Sequence, residues 1–105
     1  MNKEKISILI TNFNKEKFIE ECILSCLSQN YNNLEIIIVD NSSTDQSMGI
    51  ITKYSDKLFI VTKKRDSLHS AKNQIDSLIK AFKKSTGNLI LLLDGDDYFL
   101  PNKVS

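Results

Sequence analysis

Glycine is scarce in this chain, and its scarcity excludes two large classes of nucleotide-binding protein. Only three of the 105 residues are glycine, and none lies between Thr11 and Lys17, directly after the first predicted strand. A dinucleotide-binding Rossmann turn needs glycines there to let the backbone approach a pyrophosphate, and a P-loop needs glycines followed by Lys and Ser or Thr. The sequence contains neither motif.

An excess of charge and long apolar runs are also lacking. Fourteen Lys and Arg residues face 13 Asp and Glu residues, so the net charge of +1 gives no electrostatic reason to expect nucleic acid or an anionic membrane as partner. The longest aliphatic runs, Ile36–Val39 and Leu89–Leu93, are far shorter than the roughly 18 residues of a membrane span. Ile6–Ile10 is too short for a signal-peptide core. We expect a single domain without a transmembrane segment, in the cytoplasm or at the cytoplasmic face of a membrane.

Cysteine and histidine are too few for a soft-metal site. Cys22 and Cys26 are four residues apart on a predicted helix, where a disulfide has unsuitable geometry and a metal would lack further soft ligands. We expect both to be reduced core thiols. His69 is the only histidine, and we expect it to be structural or exposed.

Four short segments have the composition of strands. They are Ile6–Thr11, Leu34–Asp40, Lys57–Thr62 and Asn88–Asp94. Their apolar residues run almost continuously, which is typical of parallel strands covered by helices on both faces. Helical patterns lie between them, so the order βαβαβαβ predicts an α/β fold with a doubly wound, mainly parallel sheet and right-handed crossovers.

The helices are predicted from apolar side chains at helical spacing. These side chains are Phe18, Cys22, Ile23, Cys26 and Leu27 in the first helix, and Ala71, Ile75, Leu78, Ile79 and Phe82 in the later one. Asn14 is the predicted N-cap of the first helix, and Ser43 with Gln46 forms a capping-box pattern for the second. Gly87 is expected to end the third.

Three carboxylates are crowded at the end of the last strand. Leu89–Leu93 leads directly into Asp94, Gly95, Asp96 and Asp97. Two like charges about 4 Å apart repel by roughly 4 kcal/mol at an effective dielectric constant near 20, so these groups must spread apart, protonate or share a cation. Oxygen ligands favour Mg²⁺, Mn²⁺ or Ca²⁺, and Mg²⁺ or Mn²⁺ commonly carries a substrate phosphate as well. The alternative is a solvated surface turn, because Asp and Gly are ordinary turn residues.

The position of this acidic turn in the predicted sheet favours ligand binding over a solvated surface turn. In a doubly wound sheet the ligand lies outside the carboxyl ends of the strands, where the strand order reverses. That edge carries Thr11 to Asn14, Asp40 with Asn41, and Asp94 to Asp97. Without a glycine-rich loop, the phosphates of a nucleotide are expected to be held through metal.

The other two strand ends are left to hold the rest of a nucleotide. Phe13 could stack on a base, or pack on the first helix as a hydrophobic staple. Asp40 and Asn41 could accept a hydrogen bond from a base N–H or a ribose hydroxyl, and Asp40 could instead only cap the next helix.

Three segments around these residues resemble family 2 glycosyltransferases of the GT-A fold. They are Ile6–Asn14, Ile37–Asp45 and Leu92–Asp97, the last followed by Pro101. The resemblance covers nearly the whole chain and implies a Rossmann-like nucleotide-binding half. It implies transfer of a sugar from a nucleoside-diphosphate sugar, uridine first, to a hydroxyl of a saccharide, lipid-linked or protein acceptor, with inversion. Synthesis of a surface polysaccharide or glycolipid is the expected setting.

The resemblance also implies site residues. Those that frame or contact the nucleotide are Thr11, Asn12, Phe13, Asn14, Asp40, Asn41, Lys72, Asp94 and Gly95. Phe13 stacks on the base in this scheme, and Lys72 takes the place of a basic residue in the family's Ala-Arg-Asn stretch. Asp94 and Asp96 match the family's metal-binding Asp-x-Asp pair, with Asp97 adjoining, for Mn²⁺ or Mg²⁺.

The sequence departs from the family pattern in three respects. Many members have a second acid where this chain has Asn41, and an aromatic hydroxyl where it has Phe13, which puts the identity of the base in doubt. The family domain is also longer than this chain. We therefore expect residues 1–105 to be a truncated, nucleotide-sugar-binding portion, with the acceptor-binding half and the catalytic base downstream.

Two other functions fit parts of the pattern. The chain could be a non-catalytic module that binds a nucleoside diphosphate. A haloacid dehalogenase-like phosphatase would use Asp94 as nucleophile, but that family's pattern departs from this chain at Tyr98. The basic trio Lys63, Lys64 and Arg65 is interpreted as a solvated loop, with assistance to a phosphate as the alternative.

Overall fold

The computed structural model describes residues 4–29, 31–64 and 70–95. Its elements are β1 (Ile6–Asn12), α1 (Ile19–Leu27), β2 (Leu34–Asp40), α2 (Ser47–Thr52), β3 (Phe59–Thr62), α3 (Ser70–Lys84) and β4 (Leu89–Asp94). The predicted order βαβαβαβ is confirmed, with strand ends that differ from the prediction by no more than two residues.

The sheet is parallel throughout, and its strand order is β3-β2-β1-β4. The chain moves outward from β1 to β2 and β3, and then returns to place β4 on the other side of β1. The strand order therefore reverses between β1 and β4, which is where a doubly wound sheet binds its ligand.

Helices cover both faces of the sheet. Ile8 and Ile10 of β1 belong to the larger core cluster, together with buried residues of α1 and α2. Leu9 belongs to a smaller cluster with Ile37, Val39 and Ala81 of α3. Because successive strand residues point to opposite faces, each central strand is apolar on both sides, as its continuous apolar run predicts.

The buried face of α1 is close to the predicted one. Cys22, Ile23 and Cys26 are buried, and both cysteines are free thiols, as expected. Phe18 was predicted to be buried and is 49% exposed. It precedes the helix with a non-helical backbone (φ −125°), and Ile19 takes the buried position instead.

The predicted helix caps are wrong. Asn14 lies well before α1 with φ of 51°, and the carbonyl of Lys15 accepts the N–H groups of Phe18 and Ile19. The N-cap of α2 is Gln46, not Ser43, and Asp45 Oδ1 accepts the Ser47 N–H at 2.9 Å. These corrections share one cause, since the loop side chains bond to a neighbouring loop instead of to the helix that follows them.

Gly87 was expected to end α3, but the helix ends at Lys84. Gly87 lies three residues further on and does not adopt the left-handed backbone of a helix-ending glycine. It lies instead against Ser7 of β1, whose hydroxyl accepts the Gly87 N–H at 2.9 Å.

Helix α3 packs on the sheet through small and polar side chains, whereas the prediction had large apolar side chains in that position. Among residues 72–84, the buried ones are Asn73, Ser77 and Ala81, spaced by four along one ridge. Ile79 and Phe82, predicted to be buried, are 49% and 59% exposed, and Ile75 is exposed as well. The small ridge fits because the sheet surface beneath it already carries bulky side chains. The larger residues of α3 line an open apolar groove next to β4.

A buried carboxylate fixes the turn between α3 and β4. Glu35 accepts hydrogen bonds from Ser7 Oγ (2.5 Å), the Thr86 N–H (2.7 Å) and Thr86 Oγ1 (3.1 Å). Lys5 Nζ lies 3.5 Å from Glu35 Oε1. Burial alone raises the pKa of Glu35, but these hydrogen bonds and the Lys5 charge outweigh it and hold the pKa below 4.5.

Glu35→Gln is expected to lower the free energy of unfolding at neutral pH by about 1–2 kcal/mol, because an amide cannot accept from all these donors. A carboxylate with a depressed folded-state pKa stabilises the fold above its unfolded pKa, and the contribution is lost as pH falls through the folded value. The difference from the wild type should therefore shrink below about pH 4.5. Urea unfolding across pH measures it, with exposed Glu21→Gln as control. Parallel pH profiles for the wild type and Glu35→Gln would contradict the prediction.

None of the helices in the described residues is long and apolar enough to cross a membrane.

Candidate nucleotide-binding cleft

A cleft opens at the carboxyl ends of β1 and β4, where the strand order reverses. Its lining residues are Thr11, Asn12, Phe13, Lys15, Asn41, Gln74 and Asp94. The described residues enclose about 170 Å³, less than the roughly 300–1,000 Å³ of typical ligand pockets, so they form part of a site. Five of the seven are among the predicted site residues. The cleft thus lies where the sequence places it.

Asp40 is buried at the end of β2 and bonds mainly within the protein. Its Oδ1 accepts from Asn12 Nδ2 (2.8 Å) and Ser43 Oγ (2.7 Å), and its Oδ2 accepts the Ser43 N–H (3.0 Å). An ionised carboxylate has about four acceptor positions. Asp40 therefore organises the β2–α2 loop, and it is not among the described residues that line the cleft.

The loops after β1 and β2 are joined through Ser43 and Asn14. Ser43 Oγ accepts the Asn14 N–H at 3.0 Å, and Asn14 Oδ1 accepts the N–H groups of Thr44 (2.7 Å) and Asp45 (3.2 Å). Asn14, predicted to contact the nucleotide, thus lies outside the lining of the cleft and holds two of its loops together.

Asn12 presents an acceptor that no described residue satisfies. Its Nδ2 donates to Asp40 and Ser43, while its Oδ1 is buried without a hydrogen-bond partner. A buried acceptor left in this state costs about 1–3 kcal/mol, and such groups are rare in native proteins. An external donor or a cation would satisfy this oxygen.

The turn after β4 packs closely on Asn12. The Gly95 N–H is shared between Thr11 O (2.8 Å) and Asp94 Oδ1 (2.7 Å). A Cβ atom on Gly95 would lie 2.8 Å from Asn12 Oδ1, so any other residue at this position would displace the Asn12 side chain. Asp94 is half-buried and lines the cleft.

The rest of the predicted metal site cannot be described. Asp96 and Asp97 lie outside the described residues, as do Arg65 and His69. Within residues 4–29, 31–64 and 70–95, no three His, Cys, Asp or Glu side chains come together. The three-carboxylate site therefore stays a prediction, of which Asp94 is the part that the structure places.

Sequence analysis missed three residues at the site, which are Lys15, another residue of the cleft lining, Gln74 and Lys63. Gln74 Nε2 donates to Thr11 Oγ1 at 2.9 Å and lines the cleft. Lys63, interpreted as part of a solvated loop, is half-buried and donates to Asn41 Oδ1 at 3.0 Å. Long-range contacts to the ends of other strands place Gln74 and Lys63, and such contacts leave no local sequence signal.

Lys72, predicted to lie near the nucleotide, is exposed and pairs with Asp76 one turn further along α3, at 2.9 Å. Among the described residues it is not part of the cleft lining. An exposed pair of this kind contributes little to stability.

An all-parallel sheet with alternating helices and a cleft at its switch point is the architecture of a Rossmann-like nucleotide-binding unit. The solved structures that share it with this chain are glycosyltransferases of the GT-A fold. The sequence model described as "Glycosyl transferase family 2" matches residues 7–105. The chain belongs to this family, as the three sequence segments imply.

Known relatives extend well beyond the matched region. The Escherichia coli enzyme named UDP-Glc:alpha-D-GlcNAc-diphosphoundecaprenol beta-1,3-glucosyltransferase WfaP is 38% identical over 97% of this chain, which spans 39% of WfaP. Staphylococcus aureus TarS 1–349 in complex with UDP-GlcNAc is 29% identical, with a TM-score of 0.71 over 90% of this chain and 27% of TarS. The mannosyltransferase PcManGT from Pyrobaculum calidifontis, in complex with GDP-Man and Mn²⁺, shares the fold with a TM-score of 0.82 at 19% identity, over 96% of this chain and 30% of its own. The chain thus spans less than half of each.

Proposed function

We propose that this chain is the donor-binding part of a metal-dependent, inverting glycosyltransferase. The donor is a nucleoside-diphosphate sugar, with uridine as the first choice of nucleoside. The acceptor is a hydroxyl group in the synthesis of a surface polysaccharide or glycolipid. The observation that carries the proposal is the convergence of Phe13, Asn41 and Asp94 on one cleft, at the switch point of a sheet that belongs to this family.

Relatives support the choice of substrate. WfaP is named for a UDP-Glc donor and a diphosphoundecaprenol-linked acceptor, and TarS is known in complex with UDP-GlcNAc. The proposal extends this donor class to the present chain.

The cleft divides the work of binding between two walls. On one wall Phe13 offers an aromatic face for the base, and Asn41, which is held by the loop that Asp40 organises, offers a polar group after β2. On the other wall Asp94 lies at the end of β4, where the diphosphate would be placed. The loop contacts of Asn14 and Ser43 hold the first wall in one conformation before a ligand arrives.

The described oxygen atoms fit a hard cation. Asp94 supplies a carboxylate, and Asn12, another residue of the cleft lining, has a buried neutral oxygen, Oδ1, without a partner among the described residues. This donor set suits Mn²⁺ or Mg²⁺, with Asp96 and Asp97 as the further proposed ligands. When bound, such a metal offsets the negative charge that develops on a leaving diphosphate. The Asp residues of this turn are then committed to metal, so a different carboxylate is proposed to take the acceptor's proton.

Binding calorimetry tests the proposal directly. The chain is titrated with UDP, GDP, TDP and CDP, each with and without Mn²⁺. We expect at least one nucleotide to bind, UDP first, and to bind more tightly with the metal present. Failure of all four to bind in the presence of Mn²⁺ would reject the nucleotide site.

Asp94→Asn should weaken Mn²⁺-dependent binding at least tenfold, about 1.4 kcal/mol, because an amide is a poorer ligand for a hard cation. The nucleotide affinity measured without metal should change by less than about twofold. Asp56→Asn, in an exposed turn before β3, is the matched control. A phosphatase activity of the wild type that is lost in Asp94→Asn would instead favour the haloacid dehalogenase-like alternative.

A further inference from the structure

Lys63 is held at the end of β3 by its own backbone. Its N–H donates to the carbonyl of Asp40 at 2.9 Å, which continues the pairing of β2 with β3. Its carbonyl accepts from Ser42 Oγ at 2.6 Å. The residue is therefore fixed beside Asn41, at the rim of the proposed nucleotide site.

The side chain of Lys63 uses all of its hydrogen-bonding capacity inside the protein. Nζ donates to Asn41 Oδ1 (3.0 Å), Asn73 Oδ1 (3.1 Å) and the carbonyl of Lys64 (3.1 Å). An ammonium has three N–H donors. All three are engaged, so Lys63 has no proton left to donate to a ligand phosphate and acts through its neighbours.

The contact between Lys63 and Asn41 determines which way the Asn41 amide faces. An ammonium donates and cannot accept, so Asn41 must turn its oxygen toward Lys63. The amide NH₂ group then faces away from Lys63. Asn41 is buried and lines the cleft, and its backbone N–H is already bonded to the carbonyl of Asn12 at 2.9 Å. The side-chain NH₂ is thus the polar group that Asn41 has available for a ligand.

We propose that Lys63 is a positioning residue that holds Asn41 as a hydrogen-bond donor, so that this position recognises a carbonyl oxygen on the nucleobase. The inference rests on the proposed function and adds a class of base to it. Uracil, thymine, cytosine and guanine carry a ring carbonyl, and adenine carries none. A carboxylate at position 41 would accept only and would read a base N–H instead. The lysine and the asparagine form one recognition unit.

A double-mutant cycle tests the unit by calorimetry on the 105-residue chain with Mn²⁺, using UDP and ADP as probes. Lys63→Met keeps the length of the side chain and removes its donors. We expect it to weaken UDP binding three- to tenfold when Asn41 is present, and less than twofold in an Asn41→Ala background. ADP binding should change less than twofold, and Lys64→Met, an exposed neighbour, should leave both ligands unaffected. Lys63→Arg, which still donates, should retain most of the UDP affinity.

Several results would overturn the inference. An equal loss of UDP affinity in both backgrounds would show that Lys63 acts through stability or through direct contact with the ligand. Equal losses for UDP and ADP, or equal wild-type affinity for the two, would remove the preference for a carbonyl-bearing base. If the wild type binds no nucleotide at all, the proposed function fails and this inference falls with it.

A second measurement does not depend on the folding of Lys63→Met. In an amide nitrogen–proton NMR spectrum of the wild type, the side-chain NH₂ signals of Asn41 are identified by their absence from Asn41→Ala. We expect these signals to shift on addition of UDP and to shift much less with ADP. Unchanged Asn41 signals at saturating UDP would contradict a hydrogen bond from this group.

Discussion

Replacing Gly87 with alanine is expected to lower the free energy of unfolding by about 3 kcal/mol, a large part of the stability of a domain this size. A Cβ atom at this position would lie 2.5 Å from Ser7 Oγ, 2.7 Å from the Ser7 nitrogen and 3.0 Å from the Ile6 carbonyl carbon. Two of these three atoms belong to the backbone of β1, a central strand of the sheet. The clash cannot be relieved by rotation of a side chain, so the α3–β4 turn or β1 itself must move.

The same turn carries the hydrogen bonds that satisfy Glu35, so a displaced Gly87 also disturbs a buried carboxylate. Urea unfolding followed by circular dichroism measures the loss. Gly49→Ala is a matched control, because a Cβ atom at this position would meet nothing within 4 Å. Gly49 also lies within α2, where alanine is favoured over glycine. Gly49→Ala should be neutral or stabilising by up to about 1 kcal/mol. A change of less than about 0.5 kcal/mol in Gly87→Ala would contradict the prediction.

Asp40→Ala is expected to destabilise the protein by about 2–4 kcal/mol in the absence of any ligand. The substitution leaves Asn12 Nδ2, the Ser43 N–H and Ser43 Oγ without their common acceptor. All three donors lie at the junction of the first two loops, so the wall of the cleft that holds Asn41 should also loosen. Nucleotide affinity should fall together with stability.

The experiment separates the two roles suggested for Asp40. If its carboxylate served only to contact a ligand, the unliganded variant would be as stable as the wild type. If it organises the loop, urea unfolding without nucleotide already shows the full loss. Asp56→Ala, at an exposed carboxylate, is the control and should change the stability by less than about 0.5 kcal/mol.

Continuous apolar runs made the sheet predictable. Ile36–Val39 is buried on both faces, which requires parallel strands with helices on both sides. Leu89–Leu93 correctly predicted a strand, but within this run only Leu93 is buried. The face of α3 was not predictable in the same way. Its periodicity indicated a helix, but Asn73 and Ser77 are buried because the sheet below is already full, and that is a property of another part of the chain.

The site was likewise predictable only in part. Residues at strand ends, such as Phe13 and Asp94, could be predicted because parallel strands bring their carboxyl ends to one edge. Asn14 and Ser43 were assigned to helix caps by their local pattern, whereas they bond to each other's loops across about 29 positions of sequence. The role of Lys63 rests on its contacts to Asn41 and Asn73, which no pattern of residue spacing in the sequence predicts.

Strand β4 has a practical consequence for handling the protein. Among the described residues it pairs with β1 alone, so the backbone groups along its other side form an open edge. Leu89 and Leu92 are 48% and 57% exposed on its opposite faces, within a run of five uncharged aliphatic residues. Open, apolar strand edges are templates for intermolecular pairing and aggregation. Isolated samples of this chain should therefore be kept dilute, and their monodispersity checked by light scattering before any affinity is interpreted.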